Sequence, residues 1–474
     1  TCKNSACRAT VPLLKTRWLA KKENKRVLLT MEPDADRKAV IFGIDRHVPA
    51  GGKTPAQRKE HDQTVGAGTM SRSGAKCPCC GTLITMEDIR FEGRGGRLGA
   101  VMTAVVVDGQ KGKEYRLPTP HEIAMAEAAG AEIERVFKEV PFGLPEEPLP
   151  KVETLGFRVP LYGFDQWKKL FTPRQLVAFR IYTKKIRLLK KTIIELENYP
   201  SDWIEPFIFY LTSTFNRMLD FNSCQVSWIT SVEAIGHTFV RYALPITWDY
   251  SEAATTNYVR GGWRMSCEAI LESIANIFRS NQENLLCPLI IKQSVLKLDK
   301  NQYFDLIMTD PPYYDSIPYS DLMDYFYIWL RRTLHRLSPE IDQAFLESLA
   351  PKWNQDANDG ELIDDASRFN GDKAVSKQNY ENGMARAFQA CHFALKPNGR
   401  FVVVFAHKQP EAWETLVSAM IKAGFVVTAS WPIQTEQAAR MRAQSSAALA
   451  SSIWMVCKKR PTTARPGWES PVLA

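Results

Sequence analysis

No stretch of the sequence approaches the ~18 to 20 uninterrupted apolar residues that a bilayer span requires, and no charged segment leading into an apolar run opens the chain. Both absences argue against a helical membrane protein or a secreted one, so a soluble, cytoplasmic protein is expected. Concentrated charge is missing too. Lys and Arg total 61 against 52 Asp and Glu, a formal net charge of +9, yet the basic residues are spread along the chain and not gathered in a tail. That surplus permits an acidic partner such as nucleic acid without specifying one, because net charge governs association and not fold. A starting methionine is also lacking: Thr1 comes first and Cys2 already belongs to a motif, so the natural beginning is expected upstream.

With 474 residues, 45% of them hydrophobic, the chain can bury a large core, and its length fits roughly two to four domains. The densest basic runs are KTRWLAKKENKR (15–26) and KKIRLLKK (184–191). The second falls in a predicted helix whose apolar stripe is Phe179, Tyr182, Ile186, Leu189, Ile193 and Leu196, so its lysines read as the solvated face and not as a DNA-contacting one.

The cysteines divide into a cluster and a remainder. CKNSAC supplies Cys2 and Cys7, and KCPCCG supplies Cys77, Cys79 and Cys80 ahead of Gly81. A C-x-x-C turn followed by Gly lets two thiolates converge on one ion at ~2.3 Å, and a second knuckle completes a tetrahedral zinc site. The expected ligands are Cys2, Cys7, Cys77 and Cys80, with Cys79 a bystander because it breaks the two-residue gap. Disulfides are the competing reading, disfavoured in an intracellular chain with scattered unpaired cysteines. The cysteines at 224, 267, 287, 391 and 457 read as small core residues.

Around the cluster, residues 1–118 read as a β-rich zinc ribbon with an insertion, including strand-like RVLLTM and KAVIFGI and a hairpin within GAVMTAVVVDGQKGKEYRLPT. Residues 119–164 hold a helix opened by the capping sequence TPHE, then a Pro-rich linker. Residues 165–287 are mainly helical, opened by a second such cap, TPRQ, and interrupted by a loop carrying Trp248, Asp249, Tyr250 and Glu252 that is equally readable as a packing anchor or a substrate-facing loop. From 288 to 460 short β runs alternate with helices: LIIKQSV, FDLIMT, RFVVVFA, GFVVTASW and SSIWMVCK are the strands. That alternation is the pattern of a doubly wound α/β sheet, which binds ligands at the carboxyl ends of its strands. Residues 461–474 are expected to be a flexible tail.

DPPYYD (310–315) stands at such a carboxyl end, after FDLIMT. The Asp310 carboxylate and the Pro311 carbonyl can both accept hydrogen bonds from an exocyclic NH₂, and the two prolines stiffen the turn that holds them. Accepting both hydrogens draws the nitrogen toward tetrahedral geometry and frees its lone pair. Tyr313 can stack on the ring that bears the amine, and such stacking helps offset the few kcal/mol of flipping a base out of a duplex. The bland alternative is a strand-ending turn with exposed tyrosines.

With these residues in place the chain resembles the amino-group DNA methyltransferases that carry a D/N/S-P-P-Y/F/W motif. It is most similar to the zinc-ribbon adenine-specific DNA methylases with an N-terminal domain of unknown function. The resemblance runs through CKNSAC, CPCCG, YRLPT, LFTPRQL, ALPITWDYSEA, DPPYYDSIPYSDLMDYFYIWLRR, LKPNGRFVVVFAHK and ALASSIWMVCKK. It implies a Rossmann-like methyltransferase sheet, Asp310, Pro311, Pro312 and Tyr313 as the catalytic tetrapeptide, S-adenosylmethionine as methyl donor, and N6 of adenine in DNA as acceptor by direct transfer. The family's F-x-G-x-G donor loop is absent: FEGRGGRLGA (91–100) is glycine-rich but precedes a hairpin, with no helix following it. The resemblance therefore places that loop and two sheet strands upstream, leaving the strand that ends at Thr309 with an open edge and a chain that binds the donor poorly. A zinc-dependent nucleic-acid-binding module on a non-catalytic scaffold and an RNA amino-group methyltransferase are the other readings.

Overall fold

The structure is a computed structural model that describes residues 1–36, 38–195, 199–239, 243–280, 288–434 and 451–461. Leu196, Cys287, residues 448–450 of the ALASSIWMVCKK motif and residues 462–474 of the expected tail lie outside the described residues. The chain forms two compact units: one gathers Thr1–Val152, Gly156–Leu285 and Met323–Ala350, the other Glu153–Leu155, Leu286–Leu322 and Pro351–Ala474.

In the first unit β1 (Trp18–Lys22), β2 (Lys25–Pro33) and β3 (Val40–Asp45) make an antiparallel meander, followed by α1 (Pro55–Val65). β4 (Gly74–Lys76) pairs with β5 (Leu83–Thr85), which runs straight into α2 (Met86–Arg94). The expected hairpin is β6 (Val105–Gly109) with β7 (Gly112–Arg116). Then come α3 (Pro120–Phe137), α4 (Pro173–Glu195) and α5 (Ser201–Asp220), the short pair β8 (Trp228–Ile229) and β9 (Ala234–Ile235), and α6 (Trp263–Ser280). The ribbon is therefore less purely β than expected, because α1 and α2 both carry reciprocal capping boxes, Thr54 with Gln57 and Thr85 with Asp88. The caps expected at Thr119 and Thr172 are present, paired with Glu122 and Gln175.

The second unit is built on β10 (Phe304–Thr309). α7 (Tyr319–Leu334) follows, its first residues in this unit and the remainder in the other, to which α8 (Pro339–Ala344) also belongs; the second unit resumes with α9 (Lys373–Ala394), β11 (Leu395–Phe405), α10 (Pro410–Lys422), β12 (Phe425–Ile433) and β13 (Ser452–Lys459). The strands order as β10-β11-β13-β12, with β10 and β11 parallel and β13 antiparallel to both neighbours, so β10, β11 and β12 share one direction. This is a four-stranded mixed sheet within the α/β alternation that the sequence pattern suggested. LIIKQSV is not a strand: Leu289, Ile290 and Ile291 are exposed, and the segment ends in a 3₁₀ turn at Val295–Lys297. Its β-branched residues fit a strand, but among the described residues no neighbour pairs with it, and β propensity without pairing does not make a strand. α9 and α10 cover one face of the sheet, burying Met384, Phe388 and Cys391 and then Leu416 and Met420 against Phe401, Val403, Phe405, Phe425, Met455 and Cys457.

The Pro-rich linker is anchored. Arg332 is 1% exposed; it pairs with Glu147 at 2.8 Å and 3.0 Å and donates to the carbonyls of Gly143 and Leu144 at 2.8 Å and 3.0 Å. The basic face of α4 is not simply solvated either. Arg187 donates to the carbonyls of Arg332, Thr333 and His335, and Lys190 to those of Arg336 and Leu337, so these two cations satisfy carbonyls at the end of α7. The Trp248 loop packs: Trp248 meets Tyr162 edge-on at 5.1 Å, Asp249 accepts from the Thr16 amide, and Glu252 pairs with Arg174.

Candidate metal centre and strand-end site

The four expected thiols come together. The Cys2 and Cys80 sulfurs lie 3.6 Å apart, those of Cys7 and Cys77 3.9 Å apart, and all four fall within 4.8 Å of one another. Tetrahedral zinc with ~2.3 Å bonds separates its sulfurs by ~3.8 Å, so this set could hold a metal ion and fits zinc. The two knuckles repeat one backbone device. The residue after the second cysteine has positive φ in each, Arg8 at 53° and Gly81 at 77°, which turns the chain so that amides point back at the preceding cysteine loop. Gly takes that conformation freely, whereas Arg8 bears a cost of ~1–2 kcal/mol. Cys79 turns away, its sulfur 3.5 Å from the Ala39 carbonyl.

Burial pushes Cys2 up to about 12, while the Thr82 hydroxyl, 3.2 Å from its sulfur, and the Thr82 backbone hold Cys80 down to about 6. A bound cation reverses the first effect, since coordination deprotonates a thiol outright. Of the remaining cysteines, Cys391 and Cys457 are core residues as expected. Cys224 and Cys267 are only partly buried.

The strand-end site belongs to the second unit. β10 and β11 run in register with Thr309 beside Val403, so Asp310 emerges at the carboxyl end of β10 next to the end of β11 at Phe405. Asp310 is exposed, and one of its carboxylate oxygens accepts the Tyr313 hydroxyl at 2.8 Å. The Tyr313 ring meets Phe405 edge-on, with centroids 5.4 Å apart. The two proline carbonyls differ. That of Pro312 accepts the Tyr380 hydroxyl at 2.6 Å and the Tyr314 amide at 3.0 Å, whereas that of Pro311 receives no donor among the described residues. The second Asp310 oxygen and the Pro311 carbonyl, which accept no donor among the described residues, therefore stand beside a held aromatic ring.

Tyr314 is the strained residue of the turn. It has φ 54° and is 7% exposed, and a bulky residue keeps that conformation only where its surroundings dictate it. Its amide lies 3.2 Å from the Tyr380 hydroxyl, its carbonyl accepts the Asp364 amide at 3.2 Å, and its ring packs edge-on against Tyr380 and His407. Burial pushes both phenols well above the ordinary tyrosine value, so they remain protonated donors.

Sequence reasoning missed Tyr314, Asp315, Tyr380 and His407. His407 lay within the quoted FVVVFAHK, at a strand end equivalent to that of Asp310, and that position was its only signal. The fold and site define a mixed α/β protein with a four-cysteine cluster and an acidic, aromatic turn at a parallel strand end. No protein-family model, curated protein or solved structure matches the chain.

Proposed function

We propose that the protein is a DPPY-type amino-group methyltransferase acting on N6 of adenine in DNA, and that the four cysteines hold a structural zinc ion. The observation that carries the reading is the acceptor pair, the second Asp310 oxygen and the Pro311 carbonyl, at the carboxyl end of β10 with the Tyr313 ring alongside. Further support comes from β10, β11 and β12 sharing one direction with helices between successive strands, which suits a Rossmann-like methyltransferase sheet.

In this reading Asp310 and the Pro311 carbonyl accept the two N–H groups of the amine, and Tyr313 releases Asp310 to face the flipped base. Holding the amine in that geometry is orientation and electrostatic catalysis, and no covalent enzyme intermediate is needed. The proton that the methylated nitrogen sheds passes to the exposed Asp310 and on to water. S-adenosylmethionine is the donor that the resemblance implies. None of the described segments offers a glycine-rich turn from strand to helix for it, so no donor-binding residue is assigned and only the acceptor half is derived.

The test is methyl transfer from labelled S-adenosylmethionine by the natural protein to unmethylated DNA, with the label located on adenine N6. Asp310→Ala is expected to lower the rate by ~100-fold or more, the scale of losing a group that stabilises the reacting centre. A wild-type rate in that variant would sink the assignment. Label found only on RNA would move the substrate class.

A further inference from the structure

We propose that His407 is a positioning residue of the strand-end site, acting through Asp315 to hold the Asp310–Tyr313 turn against the end of β11. The inference rests on the reading of Asp310 as the amine-holding carboxylate. His407 Nε2 lies 3.0 Å from an Asp315 carboxylate oxygen, and the His407 side chain is 6% exposed while that of Asp315 is 40% exposed.

Its ring is fixed from both sides. The Gln409 amide donates to Nδ1 at 3.1 Å, so the proton sits on Nε2 and is donated to Asp315. The Trp413 indole N–H donates to the His407 carbonyl at 2.9 Å, and that indole packs edge-on against Phe405, the residue that also meets Tyr313. One residue before Asp315 stands the left-handed Tyr314, whose conformation reverses the chain after the two prolines. Asp315 is therefore the far anchor of a strained turn, and His407 ties that anchor to the neighbouring parallel strand.

With both nitrogens engaged and its ring buried, His407 neither takes a proton from substrate nor touches it. Its effect is geometric: if Asp315 is released, the turn loses its tie to the end of β11, and Tyr313 and the Pro311 carbonyl can shift out of place. Misplacement of about 1 Å costs on the order of 100-fold in rate.

The experiment compares His407→Leu, His407→Gln and Asp315→Ala in the natural protein, with two readouts. Hydrogen exchange of the peptide spanning 310–316 reads the turn directly, and methyl-transfer kinetics read the site. Asp315 is partly exposed, so Asp315→Ala keeps the fold should His407→Leu fail to fold.

His407→Leu and Asp315→Ala are expected to speed exchange of the 310–316 amides and to lower kcat by ~10- to 100-fold with KM unchanged, and His407→Gln, which keeps a donor at the Nε2 position, to restore both. Wild-type exchange and kcat in Asp315→Ala would overturn the inference, as would an equal loss in His407→Gln and His407→Leu. If the wild-type protein transfers no methyl group, the functional reading fails. The positioning role is then decided by exchange alone, faster in Asp315→Ala supporting it and unchanged refuting it.

Discussion

If the four cysteines hold zinc, as proposed, removing it should unfold the ribbon. Its fully buried core is Cys2, Cys7, Ala9, Ala75, Cys77, Cys79, Ile84, Ile89 and Tyr162, in which two isoleucines and one tyrosine carry large apolar side chains, and larger neighbours such as Phe164, Ile246 and Trp248 pack against it only partly buried. At ~1.5–3 kcal/mol each for full burial, the two isoleucines and the tyrosine contribute less than ~10 kcal/mol, and each partly buried neighbour adds less than a fully buried one. Ordering the two knuckle segments costs ~1–2 kcal/mol per residue of backbone entropy, and the paired strands are only three residues long. A structural zinc ion contributes ~10–16 kcal/mol in isolated zinc-binding peptides, enough to reverse that balance.

The purified protein should therefore contain about one equivalent of zinc per chain by mass spectrometry of the metal. Cys77→Ser should lose it and become protease-sensitive within residues 1–95, whereas Cys79→Ser should retain it, because the Cys79 sulfur faces the Ala39 carbonyl. A protease-resistant, metal-free ribbon would refute the reasoning. So would metal retained in Cys77→Ser and lost in Cys79→Ser.

Arg332→Ala strands the largely covered Glu147 carboxylate and should lower unfolding stability by up to ~3 kcal/mol in a denaturant titration, while Arg332→Met with Glu147→Leu should recover most of the loss. A wild-type midpoint in Arg332→Ala would show that the anchor is unimportant. Glu122 is held from its ordinary 4.5 down to about 2, first by the Arg116 guanidinium and then by the Thr119 amide. Its folded value lies below its unfolded one, so its contribution is present above about 4.5 and fades as pH falls toward about 2. The melting-temperature deficit of Glu122→Gln should therefore be clear at neutral pH and shrink steadily under acid. A deficit independent of pH would contradict the ion pair.

Local chemistry was the legible part of this chain. The caps at Thr119 and Thr172 were readable because a Thr-Pro opening with Glu or Gln three residues after the cap satisfies backbone groups within one turn. The same signature, TPAQ, stands at Thr54 inside a Gly- and Lys-rich stretch, where composition does not override a reciprocal cap. At Thr85 the partner is Asp88, whose shorter carboxylate closes the same box without matching the usual pattern. The four-cysteine cluster was readable despite a separation of seventy residues or more, because thiol spacing encodes each half of it locally.

What spacing cannot encode is a partnership set by strand register. Asp310 declared itself through the acid and two prolines beside it, but nothing near His407 in sequence marks it as the partner of Asp315, 92 residues away. The pairing follows only from β10 and β11 being adjacent and parallel, with Thr309 level with Val403, which brings the residues beyond both strand ends to the same side of the sheet. An alternative register would separate the pair: sliding β11 by one residue turns its side chains to the opposite face. The same register sets Phe405 against Tyr313, so the edge-on ring contact and the His407–Asp315 hydrogen bond are one constraint expressed twice. Substitutions that keep the strand pairing but remove either contact should therefore be non-additive, because the second finds the turn already released.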